Sequence, residues 1–305
     1  MQESPLTVSA ISETQANQRL LERFIWLSIG TAVATVAIKA VAAWLTNSVG
    51  LWSDAAESTV NLVAALVALW ALRLSSKPAD HNHDFGHGKA EYMSAAVEGT
   101  LIFVAAALII YSAIQRLFAP QPLEQLGVGL ALSMLATLLN LGTGLLLIRA
   151  GRTHRSITLE ADGRHLLTDV WTSVGVLVAI GLVALTGWLV LDPIIALAVG
   201  ANILFTGYTL VRRSVVGLLD AALPEDEVAI VSAVLADTCD DPRVEITELR
   251  TRESGRQRFV YATLSVPGGW TVRRSHVVAD EVEHAVDVAL PGTTTFVHIE
   301  PGPDA

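Results

Sequence analysis

The sequence predicts a polytopic α-helical membrane protein, six transmembrane helices followed by a small cytoplasmic α+β domain, on three observations. Apolar residues make up 52% of the 305-residue chain and charged ones only 16%, a balance outside the range of soluble globular proteins. Six stretches of the chain reach the roughly 20 apolar residues that a helix needs to cross a bilayer core. From about Ser214 the composition turns charged and mixed, and short periodic segments replace the long apolar runs.

Residues 1–19 form a polar N-terminal tail with no apolar core ahead of a small-residue cleavage site. The first span is therefore expected to insert as it stands, with no signal peptide removed. The spans are about Leu20–Thr46, Ser48–Arg73, Tyr92–Leu117, Leu126–Ile148, Leu166–Leu185 and Trp188–Val211, which makes 20–213 the membrane domain. Thr186 and Gly187 alone divide the last two, so the turn is placed near Leu185–Trp188. Asp192-Pro193 reads as the start of the last helix, because proline is tolerated in a first turn. Arg19, Arg23, Arg73, Lys77, Lys89, Arg149, Arg152, Arg155, Arg212 and Arg213 fall on one side of these spans, and Arg116 is nearly alone opposite. Positive charge gathers on the cytoplasmic side, so both termini are expected there.

Residues 214–305 form the soluble domain. Alternation in "RFVYATLSV" (Arg258–Val266) and "TTTFVHIE" (Thr293–Glu300) predicts strands. Helical spacing in "DEVAIVSAVLADT" and "SHVVADEVEHAVDVAL" predicts two helices, giving the order helix, strand, strand, helix, strand with both helices on one sheet face. The acidic excess of this domain argues against a nucleic-acid partner, which would reward clustered Lys and Arg. Cys239 is the only cysteine, so an intrachain disulfide and a thiolate metal cluster are excluded. Any metal must be held by nitrogen and oxygen.

An ionisable side chain at membrane depth costs a few kcal/mol and needs a partner, a wet cavity or a task. His165 and Asp169 in "EADGRHLLTDVWTS" are four residues apart and share one helix face. One explanation is that both are simply wet at the cytoplasmic end. The second span weakens it, because "NSVGLWSDAAESTVNLVAALVALW" carries Asp54, Glu57 and Asn61, the last two again four apart. If the two faces meet, Glu57, Asn61, His165 and Asp169 converge, and three oxygen donors with one imidazole suit a divalent first-row metal. The following loop, "PADHNHDFGHGKAE", offers Asp80, His81, His83, Asp84 and His87, a density that favours a second metal site over a solvated, titrating loop. Lys39 is expected to snorkel outward, Glu98 to pair inside the bundle or relay protons, and Asn140 with Gly142 and Gly144 to mark close helix packing.

Taken together, "PADHNH", "FGHGKAE", the "HLLTD" pair in the fifth span, "LDPIIAL" opening the sixth and "LLDAALPEDE" leaving it resemble the cation diffusion facilitator family of proton-coupled divalent-metal transporters. The resemblance runs through nearly the whole chain in order. It implies a membrane transport site at Glu57, Asn61, His165 and Asp169, and a loop site at Asp80, His83 and His87. It implies a charge pair between Lys89 and Asp220, a homodimer in the lipid bilayer of a bacterial inner membrane, and exchange of a cytoplasmic ion for protons by alternating access rather than enzymatic catalysis. Imidazole suits such exchange, since its ordinary charge change falls near neutral pH.

Two departures stand out. The family usually shows His or Asp followed by Asp in the second span, where this chain has Glu57 and Asn61. Some relatives hold two metals in the tail with several histidines. Here Thr247 and Thr263 stand in two of those places, and His276, His298 and Glu300 remain, so a tail site is expected to be weak or absent and the tail to serve dimer packing. One nitrogen and three oxygens favour manganese or ferrous iron, whereas intrinsic affinity favours zinc, and all three ions stay open. Two rivals are an intramembrane metal-dependent hydrolase, for which no H-E-x-x-H pattern occurs, and a metal-responsive scaffold or sensor with a degenerate membrane site.

Overall fold

The computed structural model describes residues 5–46, 49–118, 127–239 and 241–302, and the chain divides into compact units at Met1–Val215 and Val216–Ala305. The first unit is built from α1 (Pro5–Thr46), α2 (Val49–Ser75), α3 (Ala90–Phe118), α4 (Gly127–Thr153), α5 (Ile157–Thr186) and α6, which runs Leu191–Leu218. Among the described residues, four stretches are long and apolar enough to cross a membrane: Asn17–Leu45, Ala90–Phe118, Ala131–Thr153 and Leu191–Leu218. Large apolar side chains point outward on every helix, among them Trp44, Trp70, Leu108, Leu138, Trp171 and Phe205. Such a continuous apolar exterior fits contact with lipid.

The interior is a seam between four helices. Leu21, Ile25 and Ile29 of α1 pack on Ala65, Ala68, Leu69 and Leu72 of α2, with Leu147 and Ala150 of α4 and Leu159 and Leu166 of α5. Small residues bring α4 and α5 together: a Cβ on Gly163 would lie 2.8 Å from the Gly144 carbonyl oxygen and 2.9 Å from the Ile148 nitrogen. Backbones this close pack tightly without a hydrophobic driving force. A second close approach joins α3 to α6, where a Cβ on Gly207 would meet the Phe103 nitrogen at 2.8 Å.

Helix boundaries follow caps rather than apolar length. α5 begins nine residues before the expected start at Leu166, because the Ser156 hydroxyl caps it by accepting from the Leu159 N–H at 3.4 Å. Glu160, Asp162 and Arg164, which break the apolar run in sequence, lie inside the helix. It ends where the Thr186-Gly187 signal put the turn: Gly187 adopts φ 72° and returns its N–H to the Val183 carbonyl, the left-handed C-cap geometry that favours glycine. α6 starts at Leu191 rather than Trp188, with Asp192 in its first turn.

The second unit contains α7 (Glu225–Thr238), β1 (Glu245–Ser254), β2 (Gln257–Pro267), α8 (Val272–Ala289) and β3 (Thr293–Gly302), in the order expected. The sheet order is β1-β2-β3, with β1 antiparallel and β3 parallel to β2. The tight β1–β2 turn needs Gly255 at φ 61°, whereas the parallel pair needs a crossover, supplied by α8. Val260, Ala262, Leu264 and Val266 of β2 face Val231 and Leu235 of α7 and Val282 and Val286 of α8. Both helices therefore cover one face. At the edge of this core, Arg258 grips Glu227 through two hydrogen bonds of 2.9 and 3.0 Å.

Candidate metal centre

The faces of α2 and α5 meet. Asn61, 3% exposed, stands between His165, 6% exposed, and Asp169. Its Oδ1 accepts from His165 Nε2 at 2.6 Å, and its Nδ2 donates to Asp169 Oδ2 at 2.5 Å. An imidazole donating from Nε2 keeps its lone pair on Nδ1, which here is buried without a hydrogen-bond partner. Glu57 lies on α2 one turn before Asn61, but its side chain, like that of Asp54, lies outside the described residues. Three of the four expected side chains are thus brought together, and the arrangement offers one imidazole, one carboxylate and one carboxamide to an ion.

A third helix reaches this group. Asn140 of α4, 1% exposed, donates from Nδ2 to the same Asp169 Oδ2 at 3.2 Å. The packing expected of this stretch belongs to Gly144, whose Cβ would meet the Gly163 carbonyl oxygen at 3.0 Å; Asn140 has a polar contact of its own. A lone carboxamide in an apolar helix has no periodic companion, so spacing could not reveal it. The available signal was its polarity at membrane depth. Lys39 also departs from expectation: it is 4% exposed within the bundle and makes a polar or electrostatic contact there, so it does not snorkel. An ammonium among apolar helices requires such a contact.

Buried carboxylates elsewhere fasten the helices. Glu91, from "FGHGKAE", accepts from the Ser156 hydroxyl at 2.6 Å and the Ser75 hydroxyl at 3.4 Å, joining the ends of α2, α3 and α5. Glu160 of α5 is met by Arg164 at 2.7 Å, Arg213 of α6 at 2.6 Å and Arg152 of α4 at 3.8 Å. Glu98 accepts from the Ser94 hydroxyl at 3.4 Å and lies near enough to Asp162 for their charges to interact.

In the loop, the ligand atoms of Asp80, His83 and His87 lie within 4.8 Å of one another, the one such group of three among the described residues. Asp80 organises it. Oδ1 accepts from the backbone N–H groups of Asn82 at 3.0 Å and His83 at 2.9 Å, and lies 3.1 Å from His83 Nδ1. Oδ2 lies 3.4 Å from His87 Nε2. The Asn82 N–H, and then the His83 side chain, hold the Asp80 carboxyl below the usual carboxylate range. Gly86 at φ 75° closes the turn, its N–H bonded to the His83 carbonyl at 2.9 Å. His81 and Asp84 are exposed and stay outside the trio.

In the second unit, His298 Nε2 lies 3.6 Å from Glu300, while His276 faces Asp280 at 3.7 Å and does not join them. Thr247 sits at a bulge in β1 and donates to the Thr263 carbonyl at 3.3 Å. Asp220, at φ 58°, accepts from Arg252 at 3.1 Å within its own unit. Lys89 stands immediately before α3 in the first.

Comparison with known proteins matches residues 25–219 to the cation efflux transmembrane domain and residues 223–302 to the cytoplasmic domain of cation efflux proteins. The chain belongs to the cation diffusion facilitator family. Within this family, an uncharacterized transporter of Synechocystis is 49% identical over 284 residues, 93% of this chain and 91% of the relative. The cation-efflux pump FieF of Klebsiella pneumoniae is 33% identical over 288 residues, 94% of this chain and 95% of the relative. FieF of Escherichia coli is 32% identical over the same length. As a cation diffusion facilitator, this is a multi-pass membrane protein of a cation-efflux transporter family, with a cytoplasmic domain containing a small sheet.

Proposed function

We propose that the protein exports a divalent transition-metal cation, zinc, ferrous iron or manganese, from the cytoplasm in exchange for protons by alternating access. The observation that carries this reading is the convergence of Asn61, His165 and Asp169 inside the helical unit. Glu57, one turn away on α2, completes the site. All six helices of the first unit cross the membrane, a bacterial inner membrane, with both termini cytoplasmic. The protein works as a homodimer, packed through the tail. Lys89 and Asp220 pair at the junction of membrane and tail, and Asp80, His83 and His87 form a cytoplasmic metal site. The tail histidine His276, with His298 and Glu300, contributes little to metal binding.

The physical logic is proton competition. Imidazole and carboxylate bind a metal only when deprotonated, so loading is favoured on the less acidic side and release on the more acidic one. A second reading, a metal-responsive scaffold or sensor, draws on one observation: Asn61 already hydrogen-bonds both His165 and Asp169, so the site is internally paired.

Metal flux into proteoliposomes under a set pH gradient separates the two. Zinc, manganese and ferrous iron are compared for the parent and Asp169→Ala. Coupled flux that is lost in the variant is expected. Metal binding without flux in a folded parent would favour the sensor.

A further inference from the structure

We propose that Asn140 is a direct ligand of the transported ion through its carbonyl oxygen, and that this oxygen biases the site toward manganese over zinc; the inference rests on the transport reading above. Asn140 is 1% exposed, and its Nδ2 lies 3.2 Å from Asp169 Oδ2, while its Oδ1 is buried with no hydrogen-bond partner. A buried carbonyl oxygen left unpaired costs free energy. Close packing of α4 on α5 does not account for it, because packing uses Gly144 and Gly163.

The geometry gives the oxygen a task. Asn61 and Asn140, from α2 and α4, donate to one carboxylate oxygen, Asp169 Oδ2. An ion that takes Asp169 must displace those N–H groups, and a carboxamide turned about its terminal bond presents oxygen where nitrogen stood. Asn61 Oδ1 is engaged by His165 Nε2 at 2.6 Å, whereas the oxygen of Asn140 is spare. Asn140 thus adds a neutral carbonyl oxygen to the imidazole of His165 and the carboxylate of Asp169. Each carbonyl oxygen in the set moves it away from the nitrogen and sulfur donors of closed zinc sites and toward harder ions such as manganese.

The test compares manganese and zinc flux into proteoliposomes for the parent, Asn140→Leu, Asn140→Asp and Asp169→Ala, with folding checked by size-exclusion chromatography. Asn140→Leu keeps the volume and removes the oxygen. Its KM for manganese should rise about tenfold or more, the scale of lost support at a metal site, with a smaller change for zinc. Asn140→Asp restores an oxygen and should restore manganese transport. Equal loss of both ions in Asn140→Leu with unchanged KM, or parental behaviour, overturns the proposal, as does a parent that moves zinc and no manganese. If Asn140→Leu does not fold, Asn140→Asp decides, and loss of manganese transport there overturns the proposal. If no protein shows flux, equilibrium dialysis of the two ions, with Asp169→Ala as baseline, reads the same ratio. Should Asp169→Ala transport like the parent, the transport site itself is misassigned. If Asp169→Ala is inactive and the Asn140 variants keep the parental ratio, only the role of Asn140 fails.

Discussion

At the scale of single residues, the carboxamide of Asn61 is the feature on which the site turns. It gives one hydrogen to Asp169 and receives one from His165, a double role that a carboxylate cannot fill. Asn61→Asp sets two carboxylates against each other in the empty site and leaves Asp169 without that donor. The metal-free variant should lose about 1–3 kcal/mol, the cost of a buried group left unsatisfied, and a divalent cation should stabilise it more than it stabilises the parent. Thermal melts with and without manganese or zinc check this; a variant as stable as the parent without metal would refute it. That His165 and Asp169 share a helix face was legible because a spacing of four is a property of the helix itself. Asn140 was not, since its partner lies on another helix and only the packing of α4 on α5 brings them together.

At the scale of elements, the precision of the site depends on how closely α4 and α5 approach. Gly163 is the seventh residue of α5, two before His165, and its missing Cβ is what admits the Gly144 carbonyl and the Ile148 backbone. Gly163→Ala places a methyl 2.8 Å from that carbonyl oxygen, so the helices must separate by some tenths of an ångström or more. The variant should lose about 1–3 kcal/mol, as overpacked interiors do, and transport should fall because Asn140 and Asp169 move apart. A melting curve and a flux assay together test it, and unchanged values in both would show that the contact is slack. Apolar runs located the six helices of the first unit but misjudged the start of α5, since hydropathy measures lipid contact and a helix continues wherever its ends are capped. Composition marked five candidates in the loop and the family resemblance narrowed them to Asp80, His83 and His87, whereas the organising role of Asp80 depends on a turn that composition does not encode.

At the scale of the molecule, two units with separate cores share one chain. The second has its own apolar interior, an α8 capped by the Thr271 hydroxyl and a paired Glu227–Arg258 edge, features that support independent folding. The fragment Val216–Ala305, expressed alone, should therefore unfold cooperatively and sediment as a dimer. A monomer across micromolar concentrations would move the dimer contacts to the membrane unit. This architecture was readable because period-two and period-3.6 patterns alternate cleanly in the tail, and because the change in composition near Ser214 is abrupt. What remained hidden was the register of β1, where a bulge between Ile246 and Glu248 breaks the alternation.

The clasp at Glu160 reaches beyond its structural role. Three guanidiniums gathered on one carboxylate leave that rim of the bundle with a local excess of positive charge. Divalent cations diffusing past it are repelled, most strongly in dilute salt and over about 8–10 Å as salt approaches physiological strength. Phospholipid phosphates feel the opposite sign and are drawn in. The same contact that ties three helices together therefore also sets the sign of the electric field at their edge, attractive to anions and repulsive to cations.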